Sequence, residues 1–191
     1  MNIVFIGNCQ LLSLCYYFQQ LLNTNNNIFY ICYGKNFIPF TKCRWANKCK
    51  NKIIEYKEAI DKIKNSDFII YQNISLDKSI FCNTNKLIEL KKENCKIIQI
   101  SSVHVNMFDF DNSIKKMITR EEKNNTTIKV SEILKRFRYE DVMLTNNHPT
   151  TFLFMEIIKV ICNIININFF TKESYKKFIS DRNYMKLPNY N

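Results

Sequence analysis

The residues best suited to covalent or proton-transfer chemistry are a cysteine near the start of the chain, Cys9, and a histidine in its last third, His148. Cys9 lies in Gly7-Asn8-Cys9-Gln10, directly after a run of β-branched and aromatic residues and directly before an apolar stretch with helical spacing. A thiol at that junction stands at a helix N-terminus, where the helix dipole favours a thiolate and backbone N–H groups can hold an oxyanion. A histidine beside it would complete a nucleophile and base pair. The chain has two, His104 and His148. His148 is preferred, because His148-Pro149-Thr150 holds it in a rigid turn ahead of a helix and so keeps the imidazole still.

Each residue also has a plain structural use. A cysteine after a strand commonly packs as a small apolar side chain, and a His-Pro dipeptide commonly opens a helix. The scarcity of the neighbouring types favours the chemical reading: with only two glycines, three prolines and two histidines in the chain, Gly7, His148 and Pro149 all fall inside these short motifs.

The elements that must position them read as alternating strands and helices. Asn2 to Ile6 is a buried strand ended by Gly7, and Gln10 to Leu22 is a helix, with Leu11, Leu14, Cys15, Phe18, Leu21 and Leu22 on its apolar stripe. Ile28 to Tyr33 is a second strand closed by Gly34, Asp67 to Tyr71 a third and Lys96 to Ile100 a fourth, with helices at Ile53 to Lys64 and Asn83 to Lys92 between them. The segment from Lys35 to Asn51 follows no periodicity and reads as a long functional loop. Beyond the fourth strand Ser113 to Lys123 and Ser131 to Arg138 read as helices with serine N-caps, and no further strand is expected. Thr151 to Phe170 is the most apolar stretch; Glu156, Lys159 and several asparagines interrupt it, so it reads as a buried helix starting at or just after Pro149.

This order predicts an α/β fold: a short four-stranded parallel sheet flanked by helices, with a helical C-terminal third. Residues 1–185 form one domain and residues 186–191 a tail. In such a sheet ligands bind beyond the carboxyl ends of the strands. The four strand ends deliver Gly7-Asn8-Cys9-Gln10, Gly34-Lys35, Gln72-Asn73, and Ser101-Ser102 with His104, which are the candidate binding residues.

Composition narrows the partners. With 46% hydrophobic and 14% aromatic residues in 191, the chain can build a full core. The net charge of +11 points to a phosphate-bearing ligand, yet the lysines are scattered and form no basic run with interleaved aromatics, which argues against nucleic acid. Eight cysteines with no Cys-x-x-Cys, several of them inside apolar stretches, and no signal-peptide pattern point to a reducing, cytoplasmic compartment rather than a disulfide scaffold. No zinc-ligand spacing is present, and no membrane contact is expected.

Phe5-Ile6-Gly7-Asn8-Cys9-Gln10, Asp67-Phe68-Ile69-Ile70-Tyr71-Gln72 and His148-Pro149-Thr150 together resemble the WcbI family of polysaccharide biosynthesis enzymes, in order and spacing across about the first 155 residues. The resemblance implies an acetyltransferase that binds coenzyme A or acetyl-CoA and works in capsule or surface-glycan assembly, with Cys9 and His148 as the catalytic pair. The order of motifs is also similar, more distantly, to that of SGNH hydrolases; by that analogy Cys9 replaces the serine and Asn73 lends an oxyanion donor. One departure is plain: the carboxylate expected three residues before the histidine is Thr145, which leaves Asp141 as the candidate to orient His148.

The expected function is therefore acyl transfer from coenzyme A to a sugar or nucleotide-sugar. His148 would be the base, either for Cys9 or directly for the acceptor, and the Gly7 to Gln10 backbone and Asn73 would stabilise the oxyanion. Lys35 and Arg44 are candidates for the cofactor phosphates, alongside Gly7, Asn8, Gln10, Gln72, Ser101 and His104 as binding residues. The alternatives are an esterase or deacetylase on the same constellation, and a non-catalytic glycan- or nucleotide-binding module.

Overall fold

The computed structural model describes residues 1–22, 27–32, 56–72, 84–137 and 139–168. Four strands, β1 (Asn2–Gly7), β2 (Asn27–Cys32), β3 (Phe68–Gln72) and β4 (Lys96–Ile100), form one sheet in the order β2-β1-β3-β4. Every pairing is parallel, with Phe5 opposite both Tyr30 and Ile70, and Ile70 opposite Ile98. Helices α1 (Cys9–Leu22), α2 (Tyr56–Lys64) and α3 (Thr84–Leu90) alternate with these strands.

Burial on both faces explains the unbroken apolar runs that made the strands legible. Ile3 and Phe5 of β1 join Ile70 and Ile98 in a core under α1, while Val4 and Ile6 join Ile69 and Tyr71 in a second core under α2 and α3. The first core is completed by α4 (Phe110–Lys123), α5 (Val130–Leu134) and α7 (Thr151–Ile164), whose Ile114, Leu134, Leu153 and Ile158 all pack into it. The free side of β4 is covered by residues 127–128: Ile128 N–H donates to the Gln99 carbonyl at 2.9 Å, which blunts an otherwise open edge.

Strand order fixes where a ligand can sit. The connections from β1 and β3 leave toward opposite faces, so the crevice between their carboxyl ends is the switch point of the sheet. Gly7-Asn8-Cys9-Gln10 and Gln72 flank it.

Two expectations are corrected. A further pair of strands does exist: after the short helix α6 (Tyr139–Val142), β5 (Met143–Thr145) and β6 (His148–Pro149) form an antiparallel hairpin with an irregularity in its register. Pro149 ends the second of these strands, and α7 begins just after it as expected, with Thr150 as the N-cap, whose hydroxyl accepts from Leu153 N–H at 3.2 Å. The serines are not caps. Ser113 lies inside α4, which starts at Phe110, and accepts the Asn106 N–H at 3.0 Å; Ser131 lies inside α5 and donates to Glu121.

The expected loop from 35 to 51 and the tail from 186 lie outside the described residues. Among the described residues no helix is long and apolar enough to cross a membrane, no three His, Cys, Asp or Glu side chains cluster as a metal site, and the buried Cys95 and Cys162 are free thiols.

Candidate active site

The turn after β1 is shaped by close packing. A Cβ on Gly7 would lie 2.7 Å from both Cβ and Cδ2 of Leu11 and 3.2 Å from Cβ of Gln72, so only glycine lets the first turn of α1 fold back onto the strand end. Asn8 is the N-cap: its Oδ1 accepts Gln10 N–H at 2.9 Å and its carbonyl accepts Leu12 N–H at 3.0 Å. Tyr30, on the neighbouring strand, braces the turn by directing its hydroxyl at the carbonyls of Gly7 and Asn8, at 2.8 and 2.9 Å. Cys9 is then the first residue of a 14-residue helix, and it is exposed.

Gln10 organises the rest. Its side chain is buried, and its amide uses all four hydrogen-bonding positions that the group possesses. Nε2 donates to the Val103 carbonyl at 2.6 Å and to the Asn147 carbonyl at 2.8 Å; Oε1 accepts Val103 N–H at 3.0 Å and Gln72 Nε2 at 3.1 Å. One side chain thus ties together the start of α1, the end of β3, the segment after β4 and the turn of the β5–β6 hairpin. Val105 N–H adds a second link to that turn, donating to the Asn146 carbonyl at 2.6 Å.

The same links set the position of the histidine. Asn147 precedes His148, so the Gln10 bond joins the residue after Cys9 to the residue before His148. The helices that continue from each are packed together: the Tyr17 hydroxyl meets Thr151 Oγ1 at 3.2 Å, and the Tyr17 and Phe154 rings lie 5.6 Å apart. The start of α7 thus packs against the middle of α1, while the N-terminus of α1 at Cys9 stands at the strand ends, where its dipole favours negative charge.

His148 is half-buried, and its Nδ1 lies 2.5 Å from Thr145 Oγ1, directly across the hairpin. The ring's Nδ1 partner is thus Thr145. Asp141 engages Thr150 through its backbone carbonyl, which accepts the Thr150 hydroxyl at 2.8 Å.

The remaining candidates divide. Gln72 is buried against Gln10, and its Oε1 faces Asn8 N–H at 3.4 Å. The backbone N–H groups of Asn8 and Gln10 thus face acceptors within the protein. Ser101 is buried and donates to Glu121 at 2.5 Å, away from the switch point. His104 is exposed between the buried Val103 and Val105, on the strip that contacts Gln10 and Asn146. Lys35, Arg44 and Asn73 lie outside the described residues. Tyr30, Thr145 and Asn147 are additions from the structure. Only Thr145 had a signal in sequence, its place three residues before His148.

No protein-family model matches the chain, and no curated protein sequence does. Its fold is similar to a solved structure of WcbI, described as a novel polysaccharide biosynthesis enzyme, in a native form without a disulfide bond between coenzyme A and one of its cysteines. The TM-score is 0.62 at 13% sequence identity, over 90% of this chain and 70% of that one. At that identity the likeness is one of fold.

Proposed function

We propose that the chain is a coenzyme A-dependent acyltransferase of glycan biosynthesis, with His148 as general base and Cys9 at the same crevice. The observation that carries this reading is the Gln10 amide bonded to the Asn147 carbonyl, because it ties the neighbours of the thiol and the imidazole to each other. The fold shared with a polysaccharide biosynthesis enzyme whose description names coenzyme A supports the choice of cofactor. So does the chemistry of the strand ends: an exposed thiol at a helix N-terminus suits a thiol- and phosphate-bearing ligand.

When bound, acetyl-CoA would supply the thioester that donates the acyl group. His148 would take the proton of an acceptor hydroxyl, or of the Cys9 thiol, as the new bond to the acyl carbon forms, and would return it to the departing thiolate. The dipole of α1 would lower the energy of the oxyanion formed between those steps.

The test is titration calorimetry with coenzyme A, followed by assay of acetyl transfer from acetyl-CoA to a panel of nucleotide-sugars. Binding is expected, with turnover reduced on the order of 10²- to 10⁴-fold in His148→Gln. Coenzyme A disulfide gives an independent readout. Attack by the Cys9 thiolate forms a protein–coenzyme A disulfide and expels one coenzyme A thiolate; peptide mapping should place the adduct on Cys9, and Cys9→Ser should lack it. A chain that binds no coenzyme A but cleaves simple acetyl esters is a hydrolase. One whose turnover ignores both substitutions does not use this site.

A further inference from the structure

We infer that Thr145 sets the tautomer of His148, keeping the ring proton on Nδ1 so that Nε2 is the nitrogen presented as base. The inference deepens the proposed function and rests on it for its catalytic meaning, but its physical content is a hydrogen-bond count. Thr145 Oγ1 lies 2.5 Å from Nδ1 of His148 and 3.3 Å from Oδ1 of Asn147. A hydroxyl has one proton, and an amide oxygen can only accept. The Thr145 proton therefore goes to Asn147, and Oγ1 is left as an acceptor. Only an Nδ1–H can fill it, which makes Nε2 the basic nitrogen of the neutral ring.

The fold supplies the juxtaposition. Thr145 and His148 are cross-strand partners in the β5–β6 hairpin, so their side chains stand on the same face of the ribbon at its tightest point. Asn147, in the turn between them, is itself pinned through its carbonyl to Gln10. A carboxylate at position 145 would fix the same tautomer and also offset the charge of an imidazolium. A threonine does only the first, so Thr145 acts here as a neutral positioning residue.

The tautomer is read directly by NMR of ¹⁵N-labelled protein with the ring neutral, the His148 signals being those absent from His148→Gln. The expected wild-type spectrum has the proton on Nδ1. Thr145→Val should move it toward Nε2 and lower kcat about 10²-fold with KM for acetyl-CoA unchanged. Thr145→Ser should restore both. Asn147→Ala provides a second route: it removes the acceptor, frees the hydroxyl to donate to Nδ1, and should give a mixture of tautomers. Both side chains are exposed, so neither change opens the core. A wild-type ring protonated on Nε2, a ring that Thr145→Val leaves unchanged, or a kcat indifferent to the altered tautomer each overturns the inference. A chain inactive with acetyl-CoA whose ring still follows Thr145 supports the tautomer assignment and overturns the transferase reading, so the two failures are separable.

Discussion

The side-chain amide of Gln10 donates to the backbone carbonyl of Asn147 at 2.8 Å, one residue from Cys9 at one end of the bond and one residue from His148 at the other. The chain separates these residues by most of the domain, and the sheet alone does not join them. The hairpin that carries His148 is too short to hold itself in place, since an isolated two-stranded ribbon is marginal in water. Its position depends on partners in the strand-end loops: Gln10 and Val105 reach the carbonyls of its turn, and Met107 N–H faces Asn146 Oδ1.

Replacement of Gln10 by glutamate therefore tests the site as a unit. The substitution keeps length and shape, removes both donors, and sets a carboxylate against the carbonyls of Val103 and Asn147. Two buried bonds are lost and a charge is left without a cation, so stability in urea should fall by about 2–4 kcal/mol. Acyl transfer should fall further than the unfolded fraction explains, because the hairpin loses its tether. A variant as stable and as active as the parent would show that Gln10 does not position His148.

How much of this was legible in sequence varied with the kind of interaction. β4 from Lys96 to Ile100 and the body of α1 could be read directly, because burial on both faces of a parallel sheet writes continuous apolar runs and the helix shows its stripe. The β5–β6 hairpin could not be read. Thr145-Asn146-Asn147-His148 has no alternation, and its pairing is held by tertiary bonds from Val105 and Gln10. Gln10 was read as a group facing a ligand from a strand end. Its spacing carried the other answer, for Gln10, Leu14 and Phe18 lie four residues apart on one buried helical stripe, where a polar side chain must find partners inside the protein. Ser113 and Ser131 were misread as caps for a related reason: their partners, Asn106 and Glu121, belong to other segments.

Gly7→Ala tests the packing of the turn. The added Cβ meets Leu11 Cβ as well as Cδ2 at 2.7 Å, so α1 or β1 must shift, at a cost of about 1–3 kcal/mol. Truncation of the leucine cannot relieve a clash with its own Cβ. The double variant Gly7→Ala with Leu11→Ala should be less stable than either single variant in urea melts, and rescue of Gly7→Ala by Leu11→Ala would refute the stated cause.

Glu121 is a buried carboxylate whose visible partners are all neutral. Oε1 accepts the Ser101 hydroxyl at 2.5 Å and Ser131 N–H at 3.2 Å, while Oε2 accepts the Ser131 hydroxyl. It locks the end of β4 to α4 and α5. Glu121→Ala should cost about 2–3 kcal/mol, since it strands three donors in the interior. Glu121→Gln should cost less, because the Ser131 hydroxyl can rotate to accept from the new amide while Oε1 keeps its two donors. Equal losses for the two would mean that volume rather than hydrogen bonding holds this corner.

The last prediction concerns alkaline pH. Cys162 is fully buried in α7, and burial raises its thiol from 9.0 to about 12. In the unfolded chain the thiol ionises near its ordinary value, whereas in the folded chain it stays protonated. A raised folded-state value contributes its stability below the unfolded value and loses it as pH climbs through the window, here from about 9 to about 12. Within that window this one group should lower stability by about 1.4 kcal/mol per pH unit. Lysines and tyrosines titrate there too, so the informative quantity is the difference in urea-unfolding free energy between the parent and Cys162→Ala, measured at pH 8 and again near pH 10.5. The alanine variant carries a constant cavity penalty, so it should be the less stable protein at the lower pH, and the gap should narrow by about 2 kcal/mol at the higher one. A gap independent of pH would mean that the thiol ionises as readily inside the protein as outside it.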